Sequence, residues 1–411
     1  MELRESRRPR AEHKRNIAAL SVYNVFRGVV VGGFQTLFPI YMRETGYSME
    51  SIGLAVSVAS LFSALTSPAF GVLIDRHGPK NVVIATGVML LLSTLILCLP
   101  PSYTHFIASY ALFYFGFMFG QPARASYVVL SVPSFAIGWY IGVVSTSFGI
   151  SQTLGPVVGG YLSGTLGFQE TFALASLMVF TGTIVFAITA ENVRAAMETG
   201  RTLDVLGELK KAYASVLRPR GALRQAFLLV GVDRLAWSLW YPMLSAHLYG
   251  FGYSTATVGA LMTLTTAIQT LLVLLGGRLT DIIGARKTLF LAEVAGAVGT
   301  AIVALPVPLS KLVSGVTLIG CSIGLWIPSY NKLLALVSDR DRLGVTYATT
   351  NAVRSLTSIP PPYIGGFVYD LYGPIPVFAI SSALIAYSGL LAFRVPVDEQ
   401  GCKASEERSY K

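Results

Sequence analysis

The stretch GVLIDRHGPK at residues 71–80 returns as GRLTDIIGAR at residues 277–286, which lies 206 residues further along the 411-residue chain. The same offset relates further short glycine-containing stretches to each other: Gly46-Tyr47-Ser48 and Gly252-Tyr253-Ser254, and Gly159-Gly160 and Gly365-Gly366. Several matches with the same offset of 206 residues indicate an internal duplication. In a very apolar chain, the duplication predicts a membrane transporter built from two similar halves around a central site.

The composition predicts that most of the surface faces lipid. Of all residues 53% are hydrophobic and only 13% are charged, which is too few to cover a soluble protein of this size. Twelve segments are long and apolar enough to cross about 30 Å of hydrocarbon as helices. These spans 1 to 12 are 17–42, 50–74, 80–100, 104–131, 135–163, 169–190, 222–249, 254–280, 286–306, 311–337, 343–368 and 374–394. We therefore predict an all-α membrane protein with two pseudo-symmetric bundles of six helices.

The positive charges lie mostly on one side of this topology. Of the 31 Lys and Arg, 24 lie in the tails and in the connections that share one side, and only Arg43 and Lys311 lie on the other. The positive-inside rule then places both termini in the cytoplasm of a prokaryotic cell, with a multi-pass chain in the cell membrane. This placement explains the net charge of +10 without nucleic acid as a partner. Five cations fall within spans: Arg27, Arg124, Arg234, Lys332 and Arg354.

The predicted domain order follows from the spans. A basic cytoplasmic tail (1–16) precedes an N-terminal bundle (17–190), and a cytoplasmic linker (191–221) leads to a C-terminal bundle (222–394) and a second cytoplasmic tail (395–411). Apolar residues recur at helical spacing between Leu203 and Leu217 of the linker. This pattern is typical of an amphipathic helix on the membrane surface, although a solvated helix has the same pattern.

No enzyme signature is present in the sequence. The four His have no metal-ligand spacing, and neither a phosphate-binding glycine loop nor a nucleophile elbow occurs. Cys98, Cys321 and Cys402 are isolated from one another, which indicates neither a disulfide framework nor a metal site. We expect no catalytic residue, cofactor or metal, and a gradient as the energy source for transport.

The duplicated stretch lies at a short cytoplasmic turn between spans 2 and 3, and its residue types suit such a turn. Gly78 can adopt the positive φ that the reversal needs, and Gly71 allows a neighbouring helix to come close. Asp75 can meet the N-terminus of a helix or an arginine, while Arg76 and Lys80 hold the turn on the cytoplasmic side. We interpret the turn as a gate loop that latches one face shut. Its second copy contains Gly277, Asp281, Gly284 and Arg286.

These two loops closely resemble the signature loop of the major facilitator superfamily and its degenerate second copy. The resemblance covers the whole chain, because helix number, repeat, long middle loop and topology agree. It implies two six-helix bundles that rock around a midplane cavity, in alternating access. The implied partners are a small-molecule substrate, a proton or other coupling ion, and the lipid bilayer, and we expect a monomer.

Span 5 contains a second pattern, in which Gly142 and Ser151 precede Gly155, Pro156, Gly159 and Gly160. It resembles the antiporter motif of drug:proton antiporters in this superfamily, with Ser151 where that motif has glycine. The resemblance favours export by antiport. The small residues equally predict a face for close helix packing. The arginine that these antiporters carry in span 4 is missing, because Gly116 or Leu112 stands there, and the spans of the first half contain acids only at their ends, at Glu50 and Glu170.

In this superfamily spans 1, 4, 7 and 10 line the substrate path, and here they carry polar and aromatic stripes. Asn24, Arg27 and Gln35 share a face of span 1, and Tyr114, Phe117, Gln121 and Arg124 share a face of span 4. Spans 7 and 10 contribute Trp237, Trp240, Tyr241, Trp326, Tyr330 and Asn331, with Lys332 nearby, and span 11 contributes Arg354. We predict that these side chains line the cavity.

A charge inside a span is a functional hypothesis by default, because its insertion costs about 2.5–3.5 kcal/mol. For Arg27 two interpretations stay open: anion binding, or an ion pair with Asp233. Arg124 binds substrate or takes part in gating, or pairs structurally. Asp233, a central carboxylate, is the candidate for coupling, whereas Glu293 in span 9 is peripheral in the family plan.

Two substrate classes are therefore consistent with the sequence. The span 5 motif and the aromatic residues favour proton-coupled efflux of drugs or other amphipathic compounds. The basic residues favour a carrier of organic anions, either a symporter or an exchanger. A non-transporting sensor or a lipid scramblase on the same scaffold is a remote alternative.

Overall fold

The computed structural model describes residues 10–193, 221–338 and 343–396. Within these ranges the chain is almost entirely helical and contains no β-strand. The α-helices are α1 (Arg10–Glu44), α2 (Met49–His77), α3 (Pro79–Ile96), α4 (Tyr103–Ser131), α5 (Ile137–Leu166), α6 (Phe168–Thr189), α7 (Gly221–Ser238), α8 (Leu244–Gly250), α9 (Thr255–Ile283), α10 (Ala285–Val303), α11 (Leu309–Val337), α12 (Leu343–Thr357), α13 (Pro361–Tyr372) and α14 (Pro374–Ala392). The predicted linker helix and most of both tails lie outside the described residues.

All twelve predicted spans correspond to helical segments, and two of them are broken. Span 7 consists of α7 and α8 with a 3-10 turn, Tyr241–Met243, between them. Span 11 consists of α12 and α13, which meet at Pro360 and Pro361. Proline lacks the amide hydrogen that continues a helix, so both interruptions have a local cause. Seven described helices are long and apolar enough to cross a membrane by length and composition.

The two gate loops have the backbone that a tight reversal needs. Gly78 lies between α2 and α3 with φ of 81°, and Gly284 lies between α9 and α10 with φ of 91°. Residues that carry a side chain rarely adopt a positive φ, so glycine suits both turns. Lys80 Nζ donates to the carbonyl of Ala190 at 2.6 Å, which ties the first loop to the end of α6.

The chain divides into two compact units, and each unit consists of three segments of the sequence. The first unit contains Met1–Ser48, Leu54–Glu208 and Ser245–Thr263. The second unit contains Met49–Gly53, Leu209–Leu244 and Leu264–Lys411.

Backbone contact between α1 and α5 holds the first unit together. A Cβ added at Gly155 would lie 2.3 Å from the carbonyl oxygen of Val29, and one at Gly32 would lie 2.1 Å from that of Gln152. No side chain fits in such gaps. Gly160 forms a similar contact with α9, and its carbonyl accepts a hydrogen bond from the hydroxyl of Thr255 at 2.8 Å.

Close backbone contacts also organise the second unit. A Cβ added at Gly365 of α13 would lie 1.8 Å from the carbonyl oxygen of Leu239. The carboxylate of Asp370, further along α13, accepts hydrogen bonds from the amides of Met49 at 3.2 Å and Glu50 at 2.7 Å. Asp370 therefore caps the first turn of α2, where an anionic group complements the helix dipole.

We expect Gly155→Ala to destabilise the protein by about 1–3 kcal/mol, because its methyl group would force α1 and α5 apart. Gly149→Ala is the matched control on the same helix, since a Cβ there has no neighbour within 4 Å. The measurement is thermal unfolding of the purified protein in detergent. Equal melting temperatures of the two variants would contradict the packing assignment.

Candidate functional site

A polar cavity of about 290 Å³ lies in the first unit, where α1, α4 and α5 come together. Its walls combine amide, guanidinium and aromatic groups with aliphatic side chains. The lining residues are Asn24, Gln121, Arg124, Ala125, Val128, Ile141, Val144, Ser145 and Phe148.

Two arginines are buried in and beside this cavity. Arg27 is 1% exposed and Arg124 is 7% exposed. The guanidinium carbon of Arg27 lies 4.7 Å from the centre of the Phe148 ring and 5.6 Å from that of Phe117. The guanidinium carbon of Arg124 lies 5.8 Å from the centre of the same Phe148 ring. The face of Phe148 thus supports both cations.

Each of the two guanidinium groups has a nitrogen that is buried without a hydrogen-bond partner in the described residues. Arg27 Nη2 donates to the carbonyl of Phe117 at 3.4 Å, a long bond. Nη1 of Arg27 and Nη1 of Arg124 are both buried and have no partner within the described part of the chain. Neither arginine has a carboxylate partner among the described residues.

The two cations also act on each other. The charge of Arg27 disfavours the charge of Arg124, and burial disfavours both. An anion bound between them would relieve the repulsion and fill the empty donor positions. Asn24 adds a further polar group, since its Nδ2 donates to the carbonyl of Val144 at 3.1 Å while its Oδ1 is buried without a partner in the described residues.

The other predicted residues of the first unit differ in their contribution. Gln121 lines the cavity, and Phe117 contacts Arg27. Tyr114 is half-buried and stacks on Tyr110 at 6.3 Å. Gln35 is exposed and accepts a hydrogen bond from Gln152, so it does not join the arginines.

Phe148 is absent from the predicted residues, although it contacts both arginines. It follows the span 5 motif's first glycine by six positions, and an aromatic residue in an apolar helix has no distinctive pattern. Only the approach of α5 to α1 at Gly28, where a Cβ would lie 2.8 Å from the Phe148 carbonyl, identifies its position.

The second unit contains an aromatic cluster. The rings of Trp237, Trp240 and Tyr241 lie within 5.5–5.7 Å of one another, and Trp240 also contacts Phe378 at 5.1 Å. These residues surround the break between α7 and α8.

A second group of the same unit combines aromatic and charged side chains. Trp326 stacks on Tyr330 with ring centres 4.6 Å apart, and the guanidinium carbon of Arg354 lies 5.1 Å from the Trp326 ring. Trp326 Nε1 donates to Glu293 Oε1 at 3.0 Å. The carboxyl group of Asp233, which is 5% exposed, interacts with Glu293 and with the charges of Arg354 and Arg234.

Two polar residues of α11 lie apart from this group. Asn331 is exposed, and its carbonyl accepts from the hydroxyl of Tyr347 at 3.4 Å. Lys332 Nζ lies 2.5 Å from Oδ1 of Asp281, so this cation pairs with the second gate loop. Both ends of the pair are substantially exposed, so solvent screening limits its contribution to stability to about 1 kcal/mol at most.

The rest of the gate loops is described only in part. Arg76 is exposed. The surroundings of Gly71 and the side chain of Asp75 are not among those that the structure describes. In the second copy, a Cβ at Gly277 would have no neighbour within 4 Å, and Arg286 is the second residue of α10. The span 5 residues Gly155 and Gly159 face α1, whereas Gly160 and the Pro156 carbonyl contact α9 at Thr255 and Gly259.

Residues 20–359 and 226–409 match the Major Facilitator Superfamily. The chain belongs to this family. It is therefore a membrane transporter and not an enzyme, as the resemblance of its loops predicts, and its substrate is a small molecule.

Similar proteins from two bacteria have names that refer to drug resistance. The multidrug resistance protein MdtG of Salmonella paratyphi C is 23% identical over 92% of this chain and 95% of its own length. MdtG of Enterobacter lignolyticus is also 23% identical, over 92% of this chain and 91% of its own.

Solved structures share the fold at low identity. The nucleoside transporter NupG has a TM-score of 0.76 and 13% identity over 92% of this chain and 99% of its own. A bacterial homologue of the human lysosomal transporter Spinster has a TM-score of 0.70 and 12% identity, with coverage of 94% and 96%. The human organic anion transporter MFSD10 has a TM-score of 0.61 and 16% identity, with coverage of 94% and 100%.

Because the buried arginines have no carboxylate partner within residues 10–193, 221–338 and 343–396, we expect Arg27→Met and Arg124→Met to leave the thermal stability unchanged or to raise it. Removing one member of a true buried ion pair would instead cost about 3–5 kcal/mol. Trp326→Phe serves as the comparison, since it leaves Glu293 Oε1 without its donor and should cost about 1–3 kcal/mol. Melting temperatures in detergent without substrate distinguish the cases. A large destabilisation by either Arg→Met variant would show that the arginine is structurally paired.

Proposed function

We propose that this transporter exports amphipathic organic anions across the cell membrane of a prokaryote in exchange for protons. It works as a monomer by alternating access, with both termini in the cytoplasm. The proposal combines the two substrate classes that the sequence leaves open, since the substrate has an apolar body and a negative group.

One observation carries the choice of an anion: Arg27 and Arg124 are buried together with no carboxylate partner in the part of the chain that the structure describes. Arginine stays protonated under all physiological conditions, so the site keeps two positive charges. A carboxylate, sulfonate or phosphonate can accept hydrogen bonds from both guanidinium groups. A cationic drug would meet repulsion from both, which makes lipophilic cations the weaker candidate.

The surroundings of the arginines support an amphipathic substrate. Phe148 and Phe117 present aromatic faces beside the guanidinium groups, and Val128, Ile141 and Val144 supply aliphatic contact. A volume of about 290 Å³ suits a small organic group. The charged end of such a molecule would lie at the arginines and its apolar part against the rings.

Different observations support the direction of transport and the choice of the proton as coupling ion. The relatives named multidrug resistance proteins favour export. Because the chain has no nucleotide-binding loop in its sequence, a proton gradient is the simplest driving force, and Asp233 is a titratable group inside a span. The organic anion transporter among the structural neighbours shares the fold only.

Three probes that share the naphthalene ring can test the substrate class. Naphthalenesulfonate is an anion, naphthalenemethanol is neutral and naphthyltrimethylammonium is a cation. Naphthalenesulfonate should bind the purified protein most tightly. Arg27→Gln and Arg124→Gln should each weaken its binding by about 10–100-fold, because a charge-assisted hydrogen bond contributes about 1.5–3 kcal/mol. Binding is measured by isothermal titration calorimetry in detergent.

The matched control is Lys311→Gln, which removes one positive charge at the exposed start of α11 and should leave binding unchanged. Neither substitution of a cavity arginine should alter the weak binding of naphthalenemethanol. Preference for the ammonium probe, or sulfonate binding that survives Arg27→Gln and Arg124→Gln, would refute the anion assignment.

A further inference from the structure

We propose that Asp233 of α7 and Glu293 of α10 form one proton-binding carboxyl pair, and that this pair carries the coupling proton. The inference rests on the proposed function, because it names the groups that carry its proton. Family position alone makes Glu293 peripheral; the contacts of the second unit bring it to Asp233.

The geometry of Glu293 indicates more than a structural role. Its side chain is 0% exposed, and Trp326 Nε1 donates to its Oε1 at 3.0 Å. Its Oε2 is buried with no hydrogen-bond partner in the described part of the chain, and so is Oδ1 of Asp233. A purely structural acid in such surroundings would have both oxygens satisfied, because an unpartnered buried oxygen is costly.

A shared proton accounts for the unsatisfied oxygens. The two carboxyl groups interact directly, and a charge on Asp233 disfavours a charge on Glu293. Two adjacent carboxylates in a buried site cannot both ionise readily, so one proton bound between them is the stable arrangement. The protonated oxygen donates to the other carboxylate, and the pair titrates as a unit.

Helices α7, α11, α12 and α14 each contribute a group that acts on the pair. Arg234 lies next to Asp233 on α7, Tyr330 and Trp326 lie on α11, and Arg354 lies on α12. The hydroxyl of Ser388 on α14 faces Glu293, and a Cβ added at the neighbouring Gly389 would lie 2.9 Å from Glu293 Cβ. The glycine thus provides the room that the glutamate side chain occupies.

The two protonation states differ by one unit of charge. With one proton bound, the pair carries a single negative charge. When that proton leaves to water on one side of the membrane, two carboxylates face the two positive charges of Arg354 and Arg234. No covalent bond other than the O–H bond changes, and the next proton arrives from water on the opposite side.

Trp326 is a positioning residue in this arrangement. Its indole N–H holds Glu293, while its ring lies under the guanidinium of Arg354 at 5.1 Å. Arg354 belongs to α12, a short helix that ends before the break at Pro360. A shift of α12 would move the cation relative to the pair and so change its proton affinity.

The hydrogen bond to Trp326 makes the protonation of Glu293 visible as a change in tryptophan fluorescence. We expect the emission of the purified protein to change with pH, and the change to be lost in Glu293→Gln and in Trp326→Phe. Trp139→Phe is the control, because Trp139 is 74% exposed and should leave the titration intact. A titration that persists in Glu293→Gln would overturn the inference, and this readout requires no substrate.

Transport in proteoliposomes tests coupling directly. Vesicles with an acidic lumen and a clamped membrane potential should accumulate naphthalenesulfonate, since it exchanges for outgoing protons. Asp233→Asn, Glu293→Gln and the double variant should each lose this accumulation to the same extent, because one proton site is removed in all three. All three should keep counterflow of labelled against unlabelled naphthalenesulfonate, which needs no net proton movement.

The two proposals fail in different ways. If the wild type moves no sulfonate in either assay, the proposed substrate is wrong, while the fluorescence titration still decides on the pair. If the wild type accumulates sulfonate and Glu293→Gln does so equally well, the pair is not the coupling site. Loss of counterflow as well as accumulation would assign Glu293 to folding or substrate binding instead.

Discussion

The cost of burying charge inside membrane-spanning helices constrains the whole arrangement of this transporter. Each such charge must find an opposite charge, a polarisable ring, water or a bound ligand. In the second unit, Asp233 and Glu293 lie near Arg354 and Arg234, so opposite charges occur together. Among the described residues of the first unit, the contacts of Arg27 and Arg124 are aromatic faces and one long hydrogen bond. This difference supports the proposed anionic substrate.

Glycine contacts make it possible for such an unfavourable site to persist. Along α1, Gly28, Gly32 and Gly33 approach the backbone of α5 so closely that no side chain fits between them. The contact fixes Arg27 relative to Phe148, since each belongs to one of these two helices. Packing that lies beside the cavity and not within it thus holds Arg27 against the Phe148 ring.

Much of this arrangement could be predicted from the sequence. The stripes on spans 1 and 4 identify Arg27, Gln121 and Arg124, because helical periodicity alone decides which residues share a face. The repeat identifies Gly78 and Gly284 as turn residues. Phe148 could not be predicted, since its contact depends on how close α5 comes to α1. Glu293 was expected to be peripheral, because a position in a helix order does not account for side-chain reach or for the space beside Gly389.

The helix breaks in spans 7 and 11 also could not be predicted from the sequence alone. Pro242 and Pro360 are visible in the sequence, but helices often continue through a proline with a bend. Where the chain stops being helical depends on tertiary contacts such as that of Gly365 with the Leu239 carbonyl. Lys332 is a further example: its position on α11 suits the cavity, yet its long side chain reaches Asp281. Local pattern predicts the face of a helix better than it predicts the partner of a flexible side chain.

The separation of charge types has a consequence for how transport and proton movement are linked. Arginine does not lose its proton, so an anion bound at Arg27 and Arg124 cannot displace a proton from its own site. In a carrier where substrate and proton compete for one carboxylate, exchange follows from simple displacement. In the proposed exchanger the anion and the proton bind different residues, so we infer a conformational link: each ligand favours one of two states and thereby changes the affinity for the other. Such coupling is reciprocal, and its strength is set by the difference in binding free energy between the states. Within a single fixed conformation, anion affinity should then depend little on the protonation of Asp233 and Glu293.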